Sequence, residues 1–307
     1  MTPRRYHVVL NALSGAAAEL GVTRESLSVQ FAAAGLSARI DADPDTSLDD
    51  KIAAALASDA EVVVAGGGDG TVTAVATAVV GTGKTLAVLP LGTANLLARD
   101  LHIPLDLDET IRLMAAMEPR KIDVGEVNGI VFLHKVVIGF VPGVAAGRER
   151  LRGQKSFASA FKFLRFFLRR LQRTRRIAVE IDPSDRRPRI ERARAVAVAN
   201  NSYDEQFGHF FSRACLDGGS LGLYVLNRLE LRDIVRLSLG MLVGHWRKDA
   251  ALSVHAVRSV TIRNRRERIM AMVDGEVRSL EVPLEFRTRP GALSILAPAA
   301  AQADPPA

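Results

Sequence analysis

Cysteine occurs once in this chain of 307 residues, at Cys215, which excludes an intramolecular disulfide framework and fits a reducing compartment. Long apolar runs are missing as well: no stretch approaches the roughly 20 residues that a helix needs to cross a bilayer. Arg4 and Arg5, followed by the small residues Ala16, Ala17 and Ala18, have the outline of a secretory leader. Asn11, Ser14 and Gly15 interrupt any apolar core there, so no cleaved signal is expected. The six histidines, His7, His102, His134, His209, His245 and His255, show no metal-ligand spacing. No internal repeat is present, and the one biased stretch is an Ala/Pro tail over residues 299–307, expected to be disordered. These absences point to a cytoplasmic protein, either soluble or held at a surface.

Apolar residues make up 48% of the chain, enough for two globular domains that each bury a core of their own. Charge is distributed unevenly. Between Arg148 and Arg176 eleven Lys or Arg residues stand against Glu149 alone, more than the whole net charge of +7, so one segment makes the protein basic.

The stretch Gly66, Gly67, Gly68, Asp69, Gly70 and Thr71 follows the β-branched run Val62-Val63-Val64 and precedes an Ala/Val/Thr sequence of helical character. Glycines allow the backbone to approach a ligand closely, and the helix start beyond them offers unpaired N–H groups at a positive dipole end. That arrangement cradles phosphate. The acid Asp69 belongs beside phosphate if a divalent cation sits between them, so the expected ligand is a Mg-nucleotide. A tight strand-to-helix turn with a capping Asp or Thr is the plainer alternative.

Residues 6–10 are a predicted first strand, ending at the polar loop Asn11-Ala12-Leu13-Ser14-Gly15 before an Ala-rich helical stretch. Residues 37–40 form a weak strand and 48–57 a helix; residues 85–89 form a buried strand, closed by Pro90-Leu91-Gly92-Thr93 and a short helix through Asn95 and Arg99. Strands alternating with helices imply a doubly wound, mostly parallel sheet whose ligands bind beyond the carboxyl ends of its strands. Asn11, the glycine loop and Thr93 should therefore converge on one crevice. After a helix near residues 108–117 the pattern changes to short strands, at 122–127, 130–138, 177–181, 193–199, 221–226, 254–262 and 269–273, which indicate a second, β-rich domain. Residues 231–242 carry helical spacing, and residues 293–296 form a strand that could return to either domain. The expected boundaries are 1–125 for the nucleotide-binding domain, 126–298 for the β-rich domain and 299–307 for the tail.

The glycine loop, the stretch Pro90-Leu91-Gly92-Thr93-Ala94-Asn95 with Ala98-Arg99, and Val273-Asp274-Gly275-Glu276 together resemble the diacylglycerol-kinase catalytic-domain family, in its bacterial lipid kinase branch. The correspondence runs to about Pro298. It implies an α/β N-terminal domain, a C-terminal β-sandwich and an active site in the cleft between them. It also implies that Asn11, Ser14, Gly15, Gly66, Gly67, Gly68, Asp69, Gly70, Thr71, Thr93 and Asn95 contact ATP. Asp69 would work beside the Mg-bound phosphates, and Glu276, with Asp274 nearby, would take the proton from the acceptor hydroxyl. Such a carboxylate orients the nucleophile in phosphoryl transfer.

Read from the residues alone, several of these positions have second uses. Asp274-Gly275 is also an ordinary hairpin turn. Asn95 could cap its helix, Arg99 could be a solvated charge, and Asp123 could be a structural ion-pair partner. Asp217-Gly218-Gly219 resembles a segment that binds Mg in some family members, but Gly218 stands where many have a second acid, so Asp217 could equally be a turn residue. Ala12 replaces a usual proline, and Phe207-Gly208-His209 lacks the fuller glycine cluster found there in the family.

In the basic segment, Phe157, Phe161, Leu164, Leu168 and Leu171 fall on one helical face and Lys162, Arg165, Arg169, Arg173 and Arg176 on the other. This amphipathic cationic helix suits either peripheral contact with an anionic membrane or packing on a core with a solvated charged side. No nucleic-acid reading motif accompanies it. The sequence thus leads to an ATP- and Mg-dependent lipid kinase acting on diacylglycerol or a related lipid at the inner membrane face. The alternatives are an NAD kinase-like enzyme, disfavoured because Asn200-Asn201 is followed by Ser202 rather than an acid, and a nucleotide-sensing membrane module without turnover.

Overall fold

A computed structural model describes residues 4–11, 21–139, 177–183, 187–204, 212–213, 215–227, 231–242, 245–247 and 249–299. The chain divides into two compact units, one made of Met1–Ile122 with Gly291–Ala307, the other of Asp123–Pro290.

The first unit alternates strand and helix: β1 (Arg5–Leu10), α1 (Arg24–Ala33), β2 (Ser37–Asp41), α2 (Leu48–Ala57), β3 (Val62–Gly67), α3 (Asp69–Val79), β4 (Thr85–Pro90), α4 (Leu96–Asp100) and α5 (Leu107–Met114). Its strands lie in the order β2-β1-β3-β4 and are all parallel. Strand β3 is buried along its whole length, as a central parallel strand covered on both faces must be, which accounts for its unbroken Val-Val-Val-Ala-Gly-Gly sequence. The chain leaves β1 toward β2 on one side and reaches β3 on the other. The switch between β1 and β3 is where this architecture opens a crevice, and Asn11 and Gly68 stand at its two lips.

Helix α1 escapes hydrophobic periodicity because only Leu27 and Phe31 turn inward. Its start is written instead in a capping box, in which Ser26 N–H donates to Thr23 Oγ1 at 3.1 Å and Thr23 N–H donates to Ser26 Oγ at 2.9 Å.

The second unit is built from β5 (Glu118–Val127, which begins in the first unit), β6 (Ile130–Phe132), β7 (Lys135–Gly139), β8 (Ile177–Pro183), β9 (Arg189–Ala193), β10 (Ala195–Asn200), β11 (Leu221–Leu226), α6 (Leu231–Leu242), β12 (Leu252–Val257), β13 (Ser259–Arg263), β14 (Arg268–Val273), β15 (Glu276–Glu281) and β16 (Leu284–Ala297). One antiparallel sheet runs β16-β13-β8-β9 and the other β12-β11-β10-β7-β14-β15. Val179, Ile181 and Ile262 from the first sheet and Ile138, Val198 and Ala271 from the second meet in one buried cluster, the core of a β-sandwich. Burying each of the larger aliphatic side chains stabilises the fold by about 1.5–3 kcal/mol relative to exposure.

The expected fold class, a doubly wound α/β domain followed by a β-sandwich, is the one observed. Three expected strands are each two strands here, the one over residues 130–138 among them. Residues 193–199 break at Arg194 and residues 254–262 at Arg258, where the chain turns the sandwich corner from one sheet to the other. Apolar residues before and after each Arg conceal that switch, because both segments contribute to the same core. The last strand settles the choice left open for residues 293–296: Ile295 pairs in parallel with Leu86 of β4, so the end of β16 belongs to the first unit.

Candidate active site

On the first unit, Asn11 N–H donates to Gly66 O at 2.8 Å, and its side-chain Nδ2 donates to Thr71 Oγ1 at 3.1 Å. The residue after β1 is thereby fastened to both ends of the glycine loop. Gly68 is the N-cap of α3 in extended backbone and supplies no side-chain cap, so the first N–H groups of that helix keep their outward donors and positive dipole end. Gly67 is required sterically, since a Cβ there would stand 2.6 Å from Thr71 Oγ1.

Asp69 opens α3, and its Oδ1 accepts the Leu96 N–H at 2.7 Å, so it caps α4 across the loop. Asn95, in the left-handed region at φ 48°, folds its amide back on its own turn: Oδ1 accepts from Gly92 N–H at 2.8 Å, and Nδ2 donates to Pro90 O and Gly92 O at 3.2 and 2.8 Å. Gly92 approaches the glycine loop so closely that a Cβ would lie 2.7 Å from Gly68 Cα. Thr93, in the second of these loops, is exposed. The structure thus joins Asn11, Thr71, Asp69, Gly68, Gly92 and Asn95 in one frame, within which Asn95 holds the loop and Asn11 holds Thr71.

On the second unit, Asp274 and Gly275 form a two-residue hairpin turn between β14 and β15, with φ of 44° and 98°. The Asp274 carboxylate accepts three backbone N–H groups: Leu133 at 2.6 Å on Oδ2, and His134 and Lys135 at 2.9 Å each on Oδ1. That contact interrupts the expected strand over residues 130–138 and leaves a bend between β6 and β7. Burial pushes the Asp274 carboxyl up from its ordinary value, and the three N–H groups and Arg213 pull the other way. Burial also holds His134 well below its usual range and lowers Lys135, whose Nζ lies 5.4 Å from the centre of the Tyr203 ring. Asp274, expected at the chemistry, is placed as the anchor of the turn that carries Glu276.

Glu276 is exposed on β15, and its Oε2 accepts from Arg278 Nη2 at 2.7 Å and from Nε at 3.3 Å. Nothing in the family motif marks Arg278; its spacing of two from Glu276 on a strand, which puts both on one face, is the signal that would have found it. Around Asp217, Cys215 Sγ donates to Asp217 Oδ1 at 3.3 Å, and Asp123 Oδ2 accepts from Gly219 N–H at 2.7 Å and from Asn201 Nδ2 at 3.3 Å. Among the described residues no group of three His, Cys, Asp or Glu side chains is arranged to hold a metal ion, at Asp217 or elsewhere. Ser14, Gly15, the Phe207-Gly208-His209 loop and the basic stretch between Arg148 and Arg176 lie outside the described residues. Among those that are described, no helix is long and apolar enough to cross a membrane.

The family model of the diacylglycerol kinase catalytic domain matches residues 5–127, and that of the YegS C-terminal NAD kinase beta sandwich-like domain matches residues 141–297. Over 94 residues the chain is 46% identical to a Pseudomonas syringae pv. tomato protein named "Probable lipid kinase YegS-like", and over 114 residues 38% identical to one of the same name from Pseudomonas putida. These stretches cover 30% and 36% of this chain and 30% and 38% of those proteins, about a third of the relatives' own length. A crystal structure described as a diacylglycerol kinase from Bacillus anthracis str. Sterne shares the fold at a TM-score of 0.65, with 18% identity over 96% of each chain. The two family models reach from the first strand to the last, and the chain belongs to the diacylglycerol kinase catalytic domain family, in the branch that carries the YegS-type C-terminal sandwich.

Proposed function

We propose that this protein transfers the γ-phosphate of ATP, bound with Mg²⁺, to the hydroxyl of diacylglycerol or a related lipid. The observation that carries this reading is the uncapped start of α3 at the switch point of the first unit, with Asp69 at its first position and the Gly92 loop packed against it. The residues fit a nucleotide: close-packed glycines remove side chains from the approach, and the N–H groups of α3 face where phosphates would lie. They also fit Mg²⁺ that arrives with the nucleotide, since this ion usually keeps one or two carboxylates, phosphate oxygens and water. Asp69 is the carboxylate on hand, with Oδ1 engaged by Leu96. When bound, Mg-ATP supplies the phosphoryl group and neutralises the charge that develops on it.

The chain's own residues do the remaining work. Asn11 and Thr71 brace the loop, α3 receives the phosphates, and Glu276 takes the proton from the attacking hydroxyl. Contact with an anionic membrane through the stretch between Arg148 and Arg176 would bring the enzyme to its lipid at the inner membrane face. Vesicle sedimentation after Arg165, Arg169 and Arg173 are changed to Glu tests that contact, and undiminished binding counts against it.

A second reading is phosphorylation of NAD, since the C-terminal domain matches a model named for its likeness to the NAD kinase beta sandwich. Purified protein given labelled ATP, mixed micelles of diacylglycerol and, in parallel, NAD separates the two. Label moving to lipid is expected; label moving only to NAD reverses the assignment. Glu276→Gln is expected to keep ATP binding and lose transfer by at least 100-fold, within the range of about 10²–10⁴ that general-base catalysis supplies.

A further inference from the structure

Glu276 and Arg278 share one face of β15 with Leu280, and across the hairpin they stand opposite Val273 and Ala271. Leu280, Ala271 and Val273 are buried in the sandwich core. Glu276 and Arg278 nevertheless keep side-chain exposures of 61% and 48%, so they occupy the inward-turned face of an edge strand where it emerges from the sandwich. Both contacts between them fall on Glu276 Oε2, from Arg278 Nη2 at 2.7 Å and Nε at 3.3 Å. Among the described residues Glu276 Oε1 and Arg278 Nη1 have no hydrogen-bond partner.

A glutamate turns about three side-chain bonds, and an exposed one samples many rotamers, few of which would aim an oxygen at a given hydroxyl. A planar guanidinium that grips one oxygen at two points removes most of that freedom and leaves the second oxygen presented. We propose that Arg278 is a positioning residue: it holds Glu276 by Oε2 so that Oε1 faces the acceptor hydroxyl and receives its proton. The inference rests on Glu276 being the base. Two charges on the inward face of an edge strand have another known use, which is to discourage edge-to-edge association of sheets, and the experiment separates the two.

The full chain is assayed for transfer from ATP to diacylglycerol in mixed micelles as Arg278→Gln, Arg278→Lys, Glu276→Gln and the double variant Glu276→Gln/Arg278→Gln. Arg278→Gln is expected to lower kcat about ten-fold, with KM for ATP and for lipid unchanged, because a loosened base costs orientation rather than binding. Arg278→Lys should recover part of the loss through a single-point contact. The double variant should be no slower than Glu276→Gln alone, since Arg278 acts through the carboxylate. An inactive Glu276→Gln beside an Arg278→Gln of parental kcat overturns the inference and leaves the base assignment standing, and altered association in gel filtration would then assign the pair to edge protection. A fully active Glu276→Gln overturns the base assignment itself and this inference with it. A rise in KM at constant kcat, or a further loss in the Glu276→Gln background, would make Arg278 a substrate-binding or independent group and equally overturn positioning. Because the pair is exposed, melting of Arg278→Gln should match the parent, so a change in kcat cannot be laid to unfolding.

Discussion

Changing Asp274 to Asn removes one charge and almost no volume, and it isolates what the carboxylate does from what the turn needs. The residue lies in the left-handed region at φ 44° before Gly275, and Asn-Gly suits such a two-residue turn at least as well as Asp-Gly. The local conformation of the turn is therefore kept, and only its anchor changes. Asn can still accept the His134 and Lys135 N–H groups on Oδ1, but its NH₂ then faces the Leu133 N–H that now donates to Oδ2 at 2.6 Å. One charge-assisted hydrogen bond is lost and two donors oppose each other in a buried site, a cost of about 1.5–3 kcal/mol for the bond alone. Relief of the buried charge offsets part of this, so the net expectation is about 1–3 kcal/mol. Asp274→Ala leaves three N–H groups without an acceptor and adds left-handed strain, for about 3–5 kcal/mol. Urea unfolding monitored by circular dichroism reads the stability, and transfer to lipid reads the site. ATP binding should persist in Asp274→Asn, because the glycine loop lies in the other unit, while transfer falls as Glu276 loses its anchored turn. An Asp274→Asn protein within about 0.5 kcal/mol of the parent, the range of a neutral surface change, would refute the anchoring role.

Three further expectations follow the same reasoning. Gly92→Ala puts a Cβ 2.7 Å from the backbone of Gly68, which has no flexible end to yield, so the two loops must separate; a loss of about 1–3 kcal/mol and weaker ATP binding by calorimetry are expected. Asp69→Asn keeps an acceptor for Leu96 N–H and should retain stability while losing transfer, whereas Asp69→Ala should also lose about 1 kcal/mol of cap. His134, held well below its ordinary value of 6.5 by burial, stays neutral in the fold after the unfolded chain has bound a proton. Stability should therefore fall as pH drops below about 6.5, by up to about 1.4 kcal/mol per unit, and His134→Gln should remove that slope in urea midpoints. Asp274 works in the opposite sense: its raised pKa favours the fold at low pH, and that contribution is lost as pH rises through the folded value.

Local signals carried much of this architecture. The unbroken apolar run of β3, the glycines after it and the periodic spacing over residues 48–57 and 231–242 fix element type within a few residues, so the alternating unit and the change to short strands were legible. Asp274-Gly275 was legible as a turn for the same reason. The use of the Asp274 carboxylate was not, because its partners lie 139 to 141 positions earlier in the chain. Asp69 shows the same limit at shorter range: Leu96, whose N–H it caps, is 27 residues away and carries no side-chain mark of that role. Asn95 suits a ligand contact or a helix cap on its sequence, and its amide closes the Pro90-Gly92 turn rather than capping the helix. Propensity cannot distinguish these uses, since all three draw on the same short, doubly functional side chain.

The final strand begins in the sandwich and ends beside β4, so the first unit is interrupted in the sequence by the whole of the second. Its parallel sheet acquires the neighbour of β4 only after residue 295 has been synthesised. Until then β4 presents an open edge, and the pairing that closes it spans more than two hundred residues of chain. The sandwich, continuous in sequence, can fold on the ribosome as a unit of its own, whereas the parallel sheet of the first unit is completed only when the last strand arrives.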